Sequence, residues 1–169
     1  MRRLVRLIVT IGVVIAILLM GRNILGFGGG LRTDLPPPPA LDAVVWPAEL
    51  GGVAADIGPL DIAGMNPAPA PGDDFAGLTA RYGQNVTITV ISTGREDLLD
   101  SYVATIRDGL DRYGTRTSGK VNGLWSIRAS GAPGRLQAWQ VGRWFYSIEA
   151  GTDALFDAAV AGFPYIAPR

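Results

Sequence analysis

The chain of 169 residues contains no cysteine and no histidine, and Lys120 is its only lysine beside 14 arginines. Without cysteine there is no lipobox acylation, no metal–thiolate site, no thiol nucleophile and no disulfide from which to read a redox compartment. Without histidine the chain lacks the usual general base at neutral pH, the commonest metal ligand, and any Ser-His-Asp or Cys-His arrangement. The composition therefore implies no cofactor and no metal, and it argues against an enzyme.

Charge of one sign is also locally missing. Residues 34–74 carry seven acidic side chains (Asp34, Asp42, Glu49, Asp56, Asp61, Asp73 and Asp74) and no basic one, although the formal net charge of the whole chain is zero. From Phe75 onward basic residues outnumber acidic ones ten to eight. Neither imbalance is large enough to imply a nucleic-acid partner.

What the chain does have is an apolar run at its start. Arg2, Arg3 and Arg6 precede a stretch rich in Ile, Leu and Val that holds no charge from Leu7 to Gly21. From Leu4 to Met20 a helix would be about 25 Å long at ~1.5 Å per residue, against a hydrocarbon core of ~30 Å. Arg6 and Arg22 can snorkel outward to close that gap. No Ala-x-Ala-like site follows the run, which favours an uncleaved signal anchor over residues 1–25 rather than a cleaved signal peptide. The flanking arginines predict a cytoplasmic N-terminus, hence a periplasmic or extracellular domain on a bacterial inner membrane. Gly12 and Ala16 form a small-xxx-small pair, a candidate helix–helix contact within the bilayer.

Residues 26–42 read as a linker, flexible at Gly26–Gly30 and stiff at Pro36–Pro39, where polyproline II makes a spacer of about 12 Å. Residues 43–74 read as an irregular acidic segment lying against the domain, with Trp46 as its anchor, or alternatively as a partner-binding segment.

The folded unit is expected over 75–169. Alternation at Leu78, Ala80 and Tyr82 and at Val86, Ile88 and Val90 predicts two strands with a turn at Gly83-Gln84. Thr93 and Glu96 have capping-box spacing, and Leu99, Tyr102, Val103, Ile106, Leu110 and Tyr113 then recur at helical intervals up to Gly114. Strands are predicted at 123–129, 135–141 and 143–149, and a short helix at 152–161. The expected fold is α+β, an antiparallel sheet in the order β-β-α-β-β-β-α with its helices on one face.

Three motifs come near to chemistry. Gly114-Thr115-Arg116-Thr117-Ser118-Gly119-Lys120-Val121 approaches a P-loop, but Val121 replaces the hydroxyl residue, and a helix precedes where a strand is needed. No nucleotide is expected. Ser118 and Lys120 suggest a Ser/Lys pair, yet they sit in what reads as a polar connection where the lysine stays solvated. The carboxylate pairs Asp73/Asp74, Glu96/Asp97 and Asp153/Asp157 fall in a loop or in first helical turns, where acids favour the helix dipole.

Aromatic residues are dense from 125 to 146. Trp139 and Trp144 flank a turn and could pair across it. Trp144 and Phe145 must point to opposite sides of the sheet, so one aromatic face is either exposed or covered by the Trp46 segment. An exposed face beside Arg135 and Arg143 would be a protein-binding patch. Three functions follow as expectations. The first is a non-catalytic accessory protein bound to the bilayer and to a protein partner, plausibly an integral membrane complex. The second is a periplasmic ligand-binding or sensory domain, and the third an enzyme using carboxylates or the Ser/Lys pair.

Overall fold

The computed structural model describes residues 35–165. The expected anchor with Gly12 and Ala16 lies outside these residues; among the described residues no helix is long and apolar enough to cross a membrane. The described residues fall within one compact unit, Asp34–Arg169.

Among the described residues, nine strands and two α-helices form an α+β fold. A small hairpin, β1 (Glu49–Leu50) and β2 (Val53–Ala54), precedes β3 (Asp56–Pro59), β4 (Phe75–Tyr82) and β5 (Val86–Thr93). Helix α1 (Glu96–Asp108) and a 3-10 turn (Leu110–Arg112) lead to β6 (Thr115–Val121), β7 (Leu124–Gly131), β8 (Gly134–Val141) and β9 (Trp144–Ala150), and helix α2 (Asp153–Gly162) follows. The main sheet has seven antiparallel strands in the order β3-β4-β5-β9-β8-β7-β6.

β5 and β9 sit at the centre of the fold, with apolar side chains buried on both of their faces. In β5, Val86, Ile88 and Val90 point to one side and Ile91 to the other; in β9, Trp144, Tyr146 and Ile148 oppose Phe145. The strand period of two thus builds two cores. One holds α1 through Leu99 and Val103, with Tyr102 edge-on to Phe145 at 6.1 Å between ring centres. The other holds α2 through Phe156 and Ala159, together with Val44 and Leu50.

The two helices therefore cover opposite faces, which corrects the expectation of helices on one face. The physical reason is the aromatic parity itself, since Trp144 and Phe145 are buried in opposite cores, each of which takes one helix. Trp139 does not pair with Trp144. The register sets Trp139 against Tyr146 and Trp144 against Val141, because a two-residue turn at Gly142-Arg143 leaves Trp139 two positions further from the turn than a Trp–Trp pair requires.

Other boundaries also move. Thr93 does not cap α1: Arg95 is the N-cap residue, while the Thr93 hydroxyl donates to the Asp74 carbonyl at 2.7 Å and accepts from the Arg95 amide at 2.9 Å. Helix α2 is capped by Thr152, whose side chain accepts from the Leu155 amide at 3.3 Å. Residues 43–74 carry three short strands, one of which joins the main sheet. The stretch 115–121, expected to be a polar connection, is a full strand.

Candidate functional site

The three strands that close one side of the sheet, β8, β7 and β6, carry Ser118, Lys120, Arg135 and Trp139 of the residues singled out above. Between Arg112 and Ile148 the chain has six basic residues and no acidic one. Acids on the elements around these strands answer most of them. Arg112 pairs with Glu149 on β9, Arg116 with Asp111 at 2.9 Å, Lys120 with Asp100 of α1 at 2.9 Å, and Arg135 with Asp157 of α2 at 3.1 Å. Exposed pairs of this kind are each worth roughly 0–1 kcal/mol and orient the helices more than they hold them.

The aromatic patch is internal. Trp139 is 1% exposed and Trp144 6%. Phe163 lies 6.3 Å from Trp139 between ring centres, edge-on, and the half-buried Trp46 lies 6.1 Å from Phe163 in turn. Tyr82 fixes this cover by donating to the Pro47 carbonyl at 2.7 Å, and the Tyr165 hydroxyl accepts from the Val45 amide at 2.9 Å. The covering of the face by the chain's own Trp46 segment is thus the arrangement found. Among the described residues Trp139 Nε1 and the Tyr146 hydroxyl are buried without a hydrogen-bond partner, and burial raises the Tyr146 phenol above its ordinary range.

Arg135 lies over the Phe156 ring at 4.2 Å and reaches both Asp157 and Asp153. Arg143 donates to Ser92 Oγ at 3.0 Å and to Asp74 at 2.5 Å. Asp74 also accepts from the Gly94 amide at 3.0 Å, and Asp73 binds Arg95 at 2.9 Å. The acids at 73 and 74 therefore clamp a loop to the start of α1, leaving no free carboxylate pair there.

Lys120 and Ser118 share a face of β6, about 7 Å apart at the strand repeat, but the lysine ammonium is held by Asp100. That carboxylate also accepts from Trp125 Nε1 at 2.7 Å. Burial pushes its pKa up, but the hydrogen bonds from Lys120 and Trp125 outweigh this and hold it below the ordinary value. Lys120 stacks on Trp125 with its nitrogen 5.2 Å from the ring centre. The cluster fastens the β6–β7 hairpin to α1.

What remains open lies at the ends of these strands. Val121 and Leu124 face each other across the hairpin, and continuing the β7–β8 register past Ser126 and Trp139 brings Val141 beside Leu124. These three side chains form an apolar rim on the α2 face, 64%, 38% and 37% exposed. Two grooves flank the same strands. One of about 520 Å³ runs between α1 and β6, beside Arg107, Asp108, Leu110, Asp111, Arg116 and Ser118. The other, about 400 Å³, lies on the α2 face beside Arg128, Arg135, Gln137 and Phe156. Among the described residues no group of three or more acidic side chains could hold a metal ion.

Sequence reasoning missed this rim and the edge strand behind it. The available signal was Asn122-Gly123, a dipeptide favoured in type I′ hairpin turns. No protein-family model, no curated protein and no solved structure matches the chain.

Proposed function

We propose that the chain is a non-catalytic accessory protein, anchored in a bacterial inner membrane by residues 1–25 with its domain on the outer side, and that it binds a protein partner, an integral membrane complex. The observation that carries this reading is the rim of Val121, Leu124 and Val141, three large apolar side chains left exposed in one row. The chain otherwise covers the aromatic residues of the α2 face with its own Trp46 segment and Phe163. An aligned apolar row at a sheet end is the kind of surface a partner removes from water, whereas single exposed apolar residues need no such explanation. The acids that could serve carboxylate chemistry are largely engaged in ion pairs, which supports a non-catalytic role.

The test is a mild-detergent pull-down of the tagged full-length protein from its native membrane. A stoichiometric membrane complex is expected, lost in Val121→Asp/Leu124→Asp while the variant keeps its circular dichroism. Recovery of the chain alone would sink the stable-subunit reading. A second reading, a ligand-binding or sensory domain, is favoured by the groove beside Arg128, Arg135 and Gln137, and it would then take the lead.

A further inference from the structure

We infer that the outer edge of β6 pairs with the same edge of a second copy of this chain, antiparallel and centred on Ser118, so that two sheets become one. This goes beyond the accessory reading and takes from it only the shared membrane.

The backbone makes the case first. Asn122 and Gly123 both have positive φ, 52° and 80°, the signature of a two-residue type I′ turn. In such a hairpin the flanking residues, Val121 and Leu124, are the mutually hydrogen-bonded pair. Bonding then alternates along the strand. Thr115, Thr117, Gly119 and Val121 therefore turn their amides and carbonyls toward β7, while Arg116, Ser118 and Lys120 turn theirs outward. No backbone hydrogen bond from elsewhere among the described residues takes up these outward groups.

The edge is also unguarded. Natural sheets blunt an edge with short strands, proline, bulges or charges that project from it. The opposite edge does so: β3 has four residues, carries Asp56 and ends at Pro59. β6 has seven residues, no proline and an unbroken register with β7.

Self-complementarity selects the occupant. With Ser118 opposite Ser118 of the second copy, Arg116 falls opposite Lys120 of that copy, and every outward donor faces an outward acceptor. Like charges set directly opposite are unfavourable, but neither charge is bare. Arg116 is held by Asp111 and Lys120 by Asp100, each at 2.9 Å, so one neutral pair meets another. On the other face of the strand Thr117 falls opposite Gly119, and Thr115 opposite Val121. The threonine extends the row of Val121, Leu124 and Val141 sideways without covering it, so the rim stays open to the partner protein.

The path of the chain fits the same symmetry. Antiparallel edges are related by a two-fold axis perpendicular to the sheet, which turns the same face of both copies to the same side. The chain joins the fold at Leu35, which bridges Tyr165 and packs on the core beneath α2. Both copies are thus entered from one side, as two chains anchored in one bilayer are. The anchor segment carries Gly12 and Ala16, a spacing that lets two membrane helices approach closely. A single pair of strand edges is smaller than the ~1,200 Å² of a standard interface, and confinement to one membrane compensates by raising the effective concentration of the edges.

The native chain has no cysteine, so introduced cysteines read the pairing directly. In full-length protein reconstituted in liposomes and oxidised with copper phenanthroline, Ser118→Cys should give a disulfide-linked dimer, because directly opposed Cα atoms lie about 5.5 Å apart. Thr115→Cys and Val121→Cys should each cross-link about tenfold less, since each lies about 20 Å from its own counterpart at ~3.3 Å per residue. The double variant Thr115→Cys/Val121→Cys should cross-link as readily as Ser118→Cys, because those two positions oppose each other. All three side chains are exposed, and circular dichroism checks that each variant folds. No dimer at Ser118 would overturn the proposal. So would equal yields at Ser118 and Thr115, the mark of random collision in the membrane. A Ser118 dimer from a chain that recovers no membrane complex in the pull-down supports the pairing and overturns the accessory reading alone.

Discussion

Tyr82 and Tyr146 offer a matched pair of substitutions whose effects should differ in sign. Both are 1% exposed and both lie in the core beneath α2. Tyr82 donates to the Pro47 carbonyl at 2.7 Å, whereas the Tyr146 hydroxyl has no partner among the described residues. A net hydrogen bond is worth about 0.5–1.5 kcal/mol, while a buried polar atom left unmatched costs about 1–3 kcal/mol. Tyr82→Phe should therefore destabilise by about 1 kcal/mol, and more if the Pro47 carbonyl stays dry. Tyr146→Phe removes an unmatched oxygen and should stabilise by about 1 kcal/mol, the small void it leaves offsetting part of the gain. Urea unfolding of the full-length protein in a mild detergent, followed by tryptophan fluorescence, separates them. At a slope of about 1–3 kcal/mol per M, a 2 kcal/mol difference spreads the two midpoints by roughly 1 M. Both variants shifting the midpoint the same way by similar amounts would refute the reasoning, because the Tyr146 hydroxyl would then have a partner in solution.

Three further outcomes are expected. Gly134→Ala should prevent stable folding, seen as loss of the cooperative thermal transition, since its φ is 114° and a Cβ would fall 2.0 Å from the Ala150 carbonyl oxygen. Asn122→Val should cost about 1–2 kcal/mol, because a β-branched residue at φ 52° is strained; an unchanged denaturation midpoint would contradict the turn assignment. Alkali should unfold the protein: burial raises Tyr82 and Tyr113 from 10.0 to about 12. Their contribution is present below the unfolded-state pKa of 10.0 and is lost as pH rises toward about 12. A flat stability profile from pH 9 to 12 would count against this.

How far the sequence revealed the fold depends on how local each signal was. The helical spacing from Leu99 to Tyr113 located α1, although the final turn tightens into 3-10 geometry and the chain leaves it at Tyr113. The β-branched alternation of β5 was equally plain. β6 was hidden because its side chains are small and polar, as suits an edge strand with little to bury, so hydropathy carried no period there. The two-faced core was half legible. The opposed parity of Trp144 and Phe145 required two covered faces or one exposed one, and only the packing of Val44, Trp46 and Phe163 over Trp139 decides which. For the rim, Val121 and Val141 are ordinary strand residues in the sequence, and it takes the register of three strands to set them on either side of Leu124.

The strand order also carries a consequence for how the chain reaches this state. β3, β4 and β5 are successive neighbours, as are β6 through β9, so each half of the sheet can grow between strands adjacent in the chain, through tight turns everywhere but the longer β3–β4 connection. The halves meet only where β5 aligns with β9, Ser92 against Trp144, across all of α1 and three intervening strands. Closing that span takes more chain entropy than any hairpin in the molecule. Both hydrophobic cores straddle the seam, so neither half can complete its core before it closes. Folding speed should therefore be governed by this one ladder. Substitutions in β5 and β9 would slow folding, and those in the β6–β7 hairpin would chiefly hasten unfolding.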